Sequence, residues 1–144
     1  MVMLDTIHLL EECDAGTKMA VASIDEVMDK VTDEKLKGLL QESKNHHKEL
    51  EQKIIEQLKA HKAEGKEPNP MAKGMSWIKT NMKMSMDNSD ATVADLITDG
   101  CNMGIKSLYK YLNQYEDADK KAKELCNKLI DIEETLRKDL RNHL

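Results

Sequence analysis

Phenylalanine is missing from this sequence altogether, tryptophan occurs once, and proline twice, as Pro68 and Pro70. A β-sandwich or β-barrel draws on many aromatic and β-branched strand residues and on frequent turns, so both are excluded. Arginine is confined to Arg137 and Arg141. Nucleic-acid binding calls for a basic face with Arg or aromatic contacts, so no nucleic-acid partner is expected. No apolar run approaches the roughly 20 residues that span a bilayer, and no membrane association is expected. The start, Met1-Val2-Met3-Leu4-Asp5, has neither a basic n-region nor a long apolar stretch, so it does not read as a secretory signal. The three cysteines, Cys13, Cys101 and Cys126, are odd in number and lack metal-type spacing. With no export signal, they read as reduced thiols of a cytoplasmic protein.

What is present is helical. The chain has 144 residues, 40% hydrophobic and 34% charged, which fits one ordered domain with well-solvated faces. The charge is uneven: residues 1–31 hold seven acids against two lysines, and residues 59–86 hold six lysines against two glutamates. The basic stretch is expected to lie against acidic helices of its own fold.

Apolar or small residues at Met3, Ile7, Leu10, Val21, Ile24, Met28 and Val31 step by fours and threes, one stripe of a long first helix with Asp14 and Thr17 at its middle. Thr32 followed by Asp33 and Glu34 is an N-cap signal. The second stripe runs Leu36, Leu40, Ser43, His47, Leu50, Ile54, Leu58, and Gly65 is expected to end that helix. Asn69-Pro70 caps a shorter helix over 70–87 with a stripe at Met71, Met75, Ile78, Met82 and Met86. Asn88-Ser89-Asp90 is the next break. A fourth stripe runs Val93, Ile97, Cys101, Ile105, Leu108, Leu112, Tyr115, and a last one Leu125, Leu129, Ile132, Leu136, Leu140.

The expected fold is all-α, a single domain over 1–144: a ferritin-like four-helix bundle of two helical hairpins, 3–65 and 90–144, joined by a crossover helix over 70–87. An up-and-down five-helix bundle is the alternative. An internal repeat favours the first arrangement. Gly16, Met19 and Ser23 match Gly100, Met103 and Ser107, making the first and fourth helices equivalent. A glycine inside a helix costs about 1 kcal/mol relative to alanine, so Gly16 and Gly100 are expected to mark close helix approach.

The residues Leu9-Leu10-Glu11 leading to Gly16, Ser76-Trp77-Ile78-Lys79, and Asp99-Gly100 leading to Tyr109 give the chain its likeness to a family. It resembles the bacterial ferritin-like helical proteins known as a domain of unknown function, over nearly its whole length. The resemblance implies a Glu directly after the repeated glycine of each hairpin. Thr17 and Cys101 stand there instead, each removing a carboxylate.

A ferritin-type di-iron centre needs carboxylates from two helices and a Glu-x-x-His pair from each of the others. No Glu-x-x-His occurs; the nearest arrangement is Glu42 with His46, four apart, and His47 beside it. The middle layer is expected to hold Thr17, His47, Cys101 and Ile132. His47 and Cys101, with Asp14 a turn away, make at most an incomplete site for a metal that wants three or four ligands. The candidate metal residues are thus Asp14, Glu42, His46, His47 and Cys101. The competing expectation makes Cys101 a small core residue and His47 a buried histidine, neutral at pH 7 and bonded to Thr17, Asp14 or Ser43. Met82, Met84 and Met86 resemble a Cu(I) cluster, but packing accounts for them. Cys101 inside a bundle is poorly placed as a nucleophile.

The expected function is therefore non-enzymatic, an interaction or assembly role with no cofactor, for a ferritin-like bundle whose metal site is degenerate. The alternative is an iron- or zinc-binding ferritin-type protein or oxidoreductase using Glu11, Asp14, Glu42, His46 and His47. A homodimer is expected, with Trp77 and Met84 at the interface, because they lie off the crossover stripe on a lysine-rich face.

Overall fold

The computed structural model describes residues 2–65 and 89–144. Its elements are helical: α1 (Val2–Met28), α2 (Glu34–Ala60), α3 (Asp90–Gln114) and α4 (Lys120–Leu140), with a 3-10 turn at Arg141–His143. At 1.5 Å per residue, the 27 residues of α1 or α2 reach about 40 Å. The helix expected over 70–87, with its methionine stripe, Trp77 and Met84, lies outside the described residues. Among the described residues no helix is long and apolar enough to cross a membrane.

Side chains at the helix ends fix how the helices run. Asp33 caps α2, its carboxylate accepting from the N–H groups of Lys35 and Leu36. Thr32, expected as the cap, instead donates its N–H and hydroxyl to the Asp90 carboxylate, both at 2.9 Å, and the Asp33 N–H joins them. These donors, the Thr32 N–H foremost, hold the Asp90 carboxyl below the usual aspartate range. They pin the start of α3 to the α1–α2 turn. At the other end, the Asp117 N–H donates to Asp5 and the Asp119 N–H to Thr6, while His61 lies 3.8 Å from Asp119. The end of α2 and the start of α3 are thus at opposite ends of the bundle. Helix α1 packs against α2 and α3, and α4 packs against the same two. α1 and α4 also meet across the bundle as its touching diagonal.

Gly65 does not end α2. The helix stops at Ala60 in a Schellman turn: the Ala63 N–H bonds the Leu58 carbonyl at 2.8 Å and the Lys62 N–H bonds that of Lys59 at 2.9 Å. The left-handed position falls on Lys62, at φ 56°. Gly65 serves a different need. A Cβ there would stand 2.6 Å from Asp14 Oδ2 and 3.2 Å from Lys18 Nζ, so the chain after α2 has turned back along α1 and lies against its middle.

The core is split. One apolar cluster, around Leu9, Leu50, Ile54, Leu125 and Leu129, fills the end where α1 begins. A second, around Ile24, Leu36, Leu40, Val93 and Leu140, fills the other. Met3, expected in the stripe, is 62% exposed, because the buried face of α1 there is carried by Thr6, Leu9 and Leu10. The repeated glycines do not mark close approach. A Cβ at Gly16 would make ordinary contact with Leu129 at 3.6 Å, and one at Gly100 would meet nothing.

Candidate functional site

Toward the middle of the bundle His47 of α2 meets Glu133 of α4, and Thr17 of α1 and Cys101 of α3, at the same level of the expected pattern, are buried as well. Ile132 was expected at that level, and it is only partly buried. The inward face of α4 runs Leu125, Leu129, Glu133, Leu136, Leu140, steps of four, four, three and four, so the glutamate takes the inner place. Sequence reasoning misses Glu133 because hydropathy favours the neighbouring isoleucine for an inner place. The spacing alone would have admitted either.

The chemistry centres on His47, whose side chain is fully buried. Its Nδ1 lies 2.8 Å from the backbone carbonyl of Ser43, one turn earlier on α2. A carbonyl can only accept, so Nδ1 carries the hydrogen. Nε2 lies 2.8 Å from Glu133 Oε1. That contact holds one proton between imidazole and carboxyl, and with Nδ1 already protonated the pair is neutral overall wherever the proton sits. The expected neutral histidine of lowered pKa is corrected here. Burial by itself would lower the pKa, but the hydrogen bond and charge of Glu133 and the Ser43 carbonyl outweigh it, so His47 holds its proton above its ordinary value. Of its three expected partners only Ser43 is met, through that carbonyl and a 3.4 Å hydroxyl contact.

Cys101 completes the cluster. Burial, then the charge of Glu133 and a hydrogen bond to it, push the thiol far up. A thiol donating to a carboxylate in an apolar surround is a poor nucleophile and a poor metal ligand, because both tasks need the thiolate. Thr17 spends its hydroxyl on the Asp14 carbonyl at 2.8 Å. Asp14 is buried, but its carboxylate bonds Lys18 at 2.8 Å and lies beneath Gly65. Glu42 and His46 are exposed on the outer face of α2.

The metal candidates are therefore not brought together. Asp14 faces Lys18, Glu42 and His46 point to solvent, and His47 and Cys101 both engage Glu133. No group of three or more His, Cys, Asp or Glu among the described residues is arranged to hold a metal ion. The donor set does not fit a di-iron centre, which needs several carboxylates free to face two cations. What the arrangement does is join α2 to α4 and α3 through one satisfied polar cluster at mid-bundle. No protein-family model matches the chain, and no curated protein and no solved structure is significantly similar to it.

Proposed function

We propose that this protein is a non-catalytic, ferritin-like bundle with a degenerate metal centre, serving interaction or assembly as a homodimer. One observation carries the reading. Where a ferritin-type centre would present carboxylates to metal, His47 and Glu133 satisfy each other as a charge-neutral pair, and burial and the charge of that carboxylate keep the Cys101 thiol protonated. Displacing that proton with a cation would strip Glu133 from His47 and leave the imidazole without its acceptor. The lengthwise crossover of the ferritin-like arrangement is supported by the placement of α2's end and α3's start at opposite ends, and by Gly65 turning back along α1. An interaction role is supported by apolar side chains left at the surface, among them Met19 and Met103, which occupy matching places in the repeat. The contact proposed at Trp77 and Met84 lies outside the described residues.

Metal analysis of the purified protein, paired with ferrous oxidation in air, tests the reading. We expect substoichiometric iron, zinc and copper, and oxidation no faster than in buffer. Stoichiometric metal, lost in a His47→Ala variant, would favour the metal-binding alternative. In light scattering we expect twice the 16.4 kDa chain mass, falling toward one chain in Trp77→Glu.

A further inference from the structure

The outward face of α3 carries its charges in a segregated order. Asp95 and Asp99 lie toward its start, Lys106 and Lys110 toward its end, and Met103 between them, all with exposed side chains. At about 100° per residue they fall within one sector of about 80°, opposite the buried stripe of Val93, Ile97, Cys101, Ile105 and Leu108.

This order does nothing for α3 itself. Asp95 with Asp99, and Lys106 with Lys110, are like-charge pairs one turn apart, which weaken a helix. Asp99 and Lys106 are separated by about 10 Å along the axis, too far to bond within α3. Both lie about two turns inside the helix ends, beyond the reach of its dipole. Among the described residues none of the four is in an ion pair.

A second α3 answers the pattern. The pairs Asp99–Lys106 and Asp95–Lys110 share one midpoint, between Asn102 and Met103. A two-fold axis through that point, at right angles to the helix, lays a second α3 antiparallel on the first. Asp99 then meets Lys106 of the second copy and Asp95 meets its Lys110, each pair occurring twice by symmetry, while Met103 meets its own counterpart at the axis.

We propose that α3 is a surface through which two copies of this chain pair, antiparallel, about Met103. The proposal rests on the homodimer reading above and adds a contact on α3 to the one at Trp77 and Met84. Self-complementarity selects a second copy as the partner, because in an isologous contact residue i meets j and j meets i. The charges fix orientation and register. Parallel pairing would set aspartate on aspartate and lysine on lysine, and a one-turn slip of the antiparallel pair would leave one aspartate and one lysine of each copy unmatched. Met103 and Tyr109, 52% and 49% exposed, supply apolar area for the contact to cover.

Two charge-reversed variants test the proposal by light scattering, with circular dichroism to check the helices. Asp95→Lys/Asp99→Lys makes the face basic throughout, and Lys106→Asp/Lys110→Asp makes it acidic throughout. Each alone should have the mass of one chain. Mixed in equal amounts they should reach twice that mass, because every pair is again a lysine against an aspartate. The wild-type dimer should weaken as added salt screens the pairs. Met103→Cys, with its thiol at the axis, should give a disulfide-linked dimer with diamide where wild type gives none, and this cross-link decides the question if a reversed face fails to fold. Reversed variants that dimerise alone, a mixture that stays at one chain, or a Met103→Cys protein that stays unlinked would each overturn the α3 contact. With wild type still dimeric, those results leave the homodimer reading standing; a monomeric wild type overturns both.

Discussion

Removing the buried pair one half at a time, and then together, examines the polar layer most closely. In Glu133→Leu, His47 keeps its Nδ1 bond to Ser43 but loses its partner at Nε2. The ring escapes a buried charge by releasing its proton, so the loss is that of one unsatisfied buried acceptor, about 1–3 kcal/mol. In His47→Leu, Glu133 is left with only the Cys101 thiol as donor, in a side chain that is 10% exposed. Loss of one partner of a buried pair costs about 3–5 kcal/mol, and that sliver of solvent access puts this variant at the lower end. The double variant replaces both groups by leucines and leaves only the weakly polar Cys101 thiol without a partner, so it should fall within about 1 kcal/mol of wild type or exceed it. The single losses sum to about 4–6 kcal/mol, so a coupling of at least about 3 kcal/mol follows. Urea unfolding followed by circular dichroism at pH 7 measures all three variants. Single losses that simply add in the double variant would refute the reasoning, because independent groups would then be at work.

The remaining predictions concern pH and backbone. The His47 pKa is raised in the folded state, so its stabilisation is fully present below the unfolded value of about 6.5 and is lost as pH rises through the folded value. The melting temperature of wild type should fall across that rise, and the His47→Leu/Glu133→Leu double variant should show a flatter profile. Lys62 holds φ 56° at the end of α2 with a side chain that gains nothing from it, so Lys62→Gly should raise unfolding stability by about 1 kcal/mol in urea titration. Gly100→Ala, in open space within α3, should stabilise by about 1 kcal/mol, and Gly65→Ala should destabilise, since its Cβ would press to 2.6 Å of the Asp14 carboxylate. Equal effects of the two alanines on the melting temperature would contradict the separate roles assigned to these glycines.

Much of the bundle is legible in the residue pattern. Every position of the α2 stripe, Leu36 through Leu58 with Ser43 and His47 among them, is buried, because an unbroken 3.6-residue period admits one inward face. The break at Asn88-Ser89-Asp90 falls where Ser89 caps α3. What stayed hidden depends on partners distant along the chain. Thr32 and Asp33 are equally good caps by composition, and Asp90, 58 residues away, decides between them by binding Thr32. Gly65 reads as a helix stop until Asp14 is seen beneath it. Glu133 looks like an outer residue because a charge is costly inside, and only a histidine on another helix, 86 residues distant, makes its burial affordable. His47 was recognised as interior, but its protonation follows from that unseen partner.

The central claim, a neutral and self-satisfied histidine–glutamate pair at the middle of the bundle, is tested most directly by ring-nitrogen NMR of His47. Titration of 15N-labelled protein should find Nδ1 protonated throughout, and Nε2 losing its proton above the ordinary histidine value of about 6.5. The pKa should drop when Glu133 is replaced by leucine. An unprotonated Nδ1, or a midpoint at or below the ordinary value in wild type, would contradict the account.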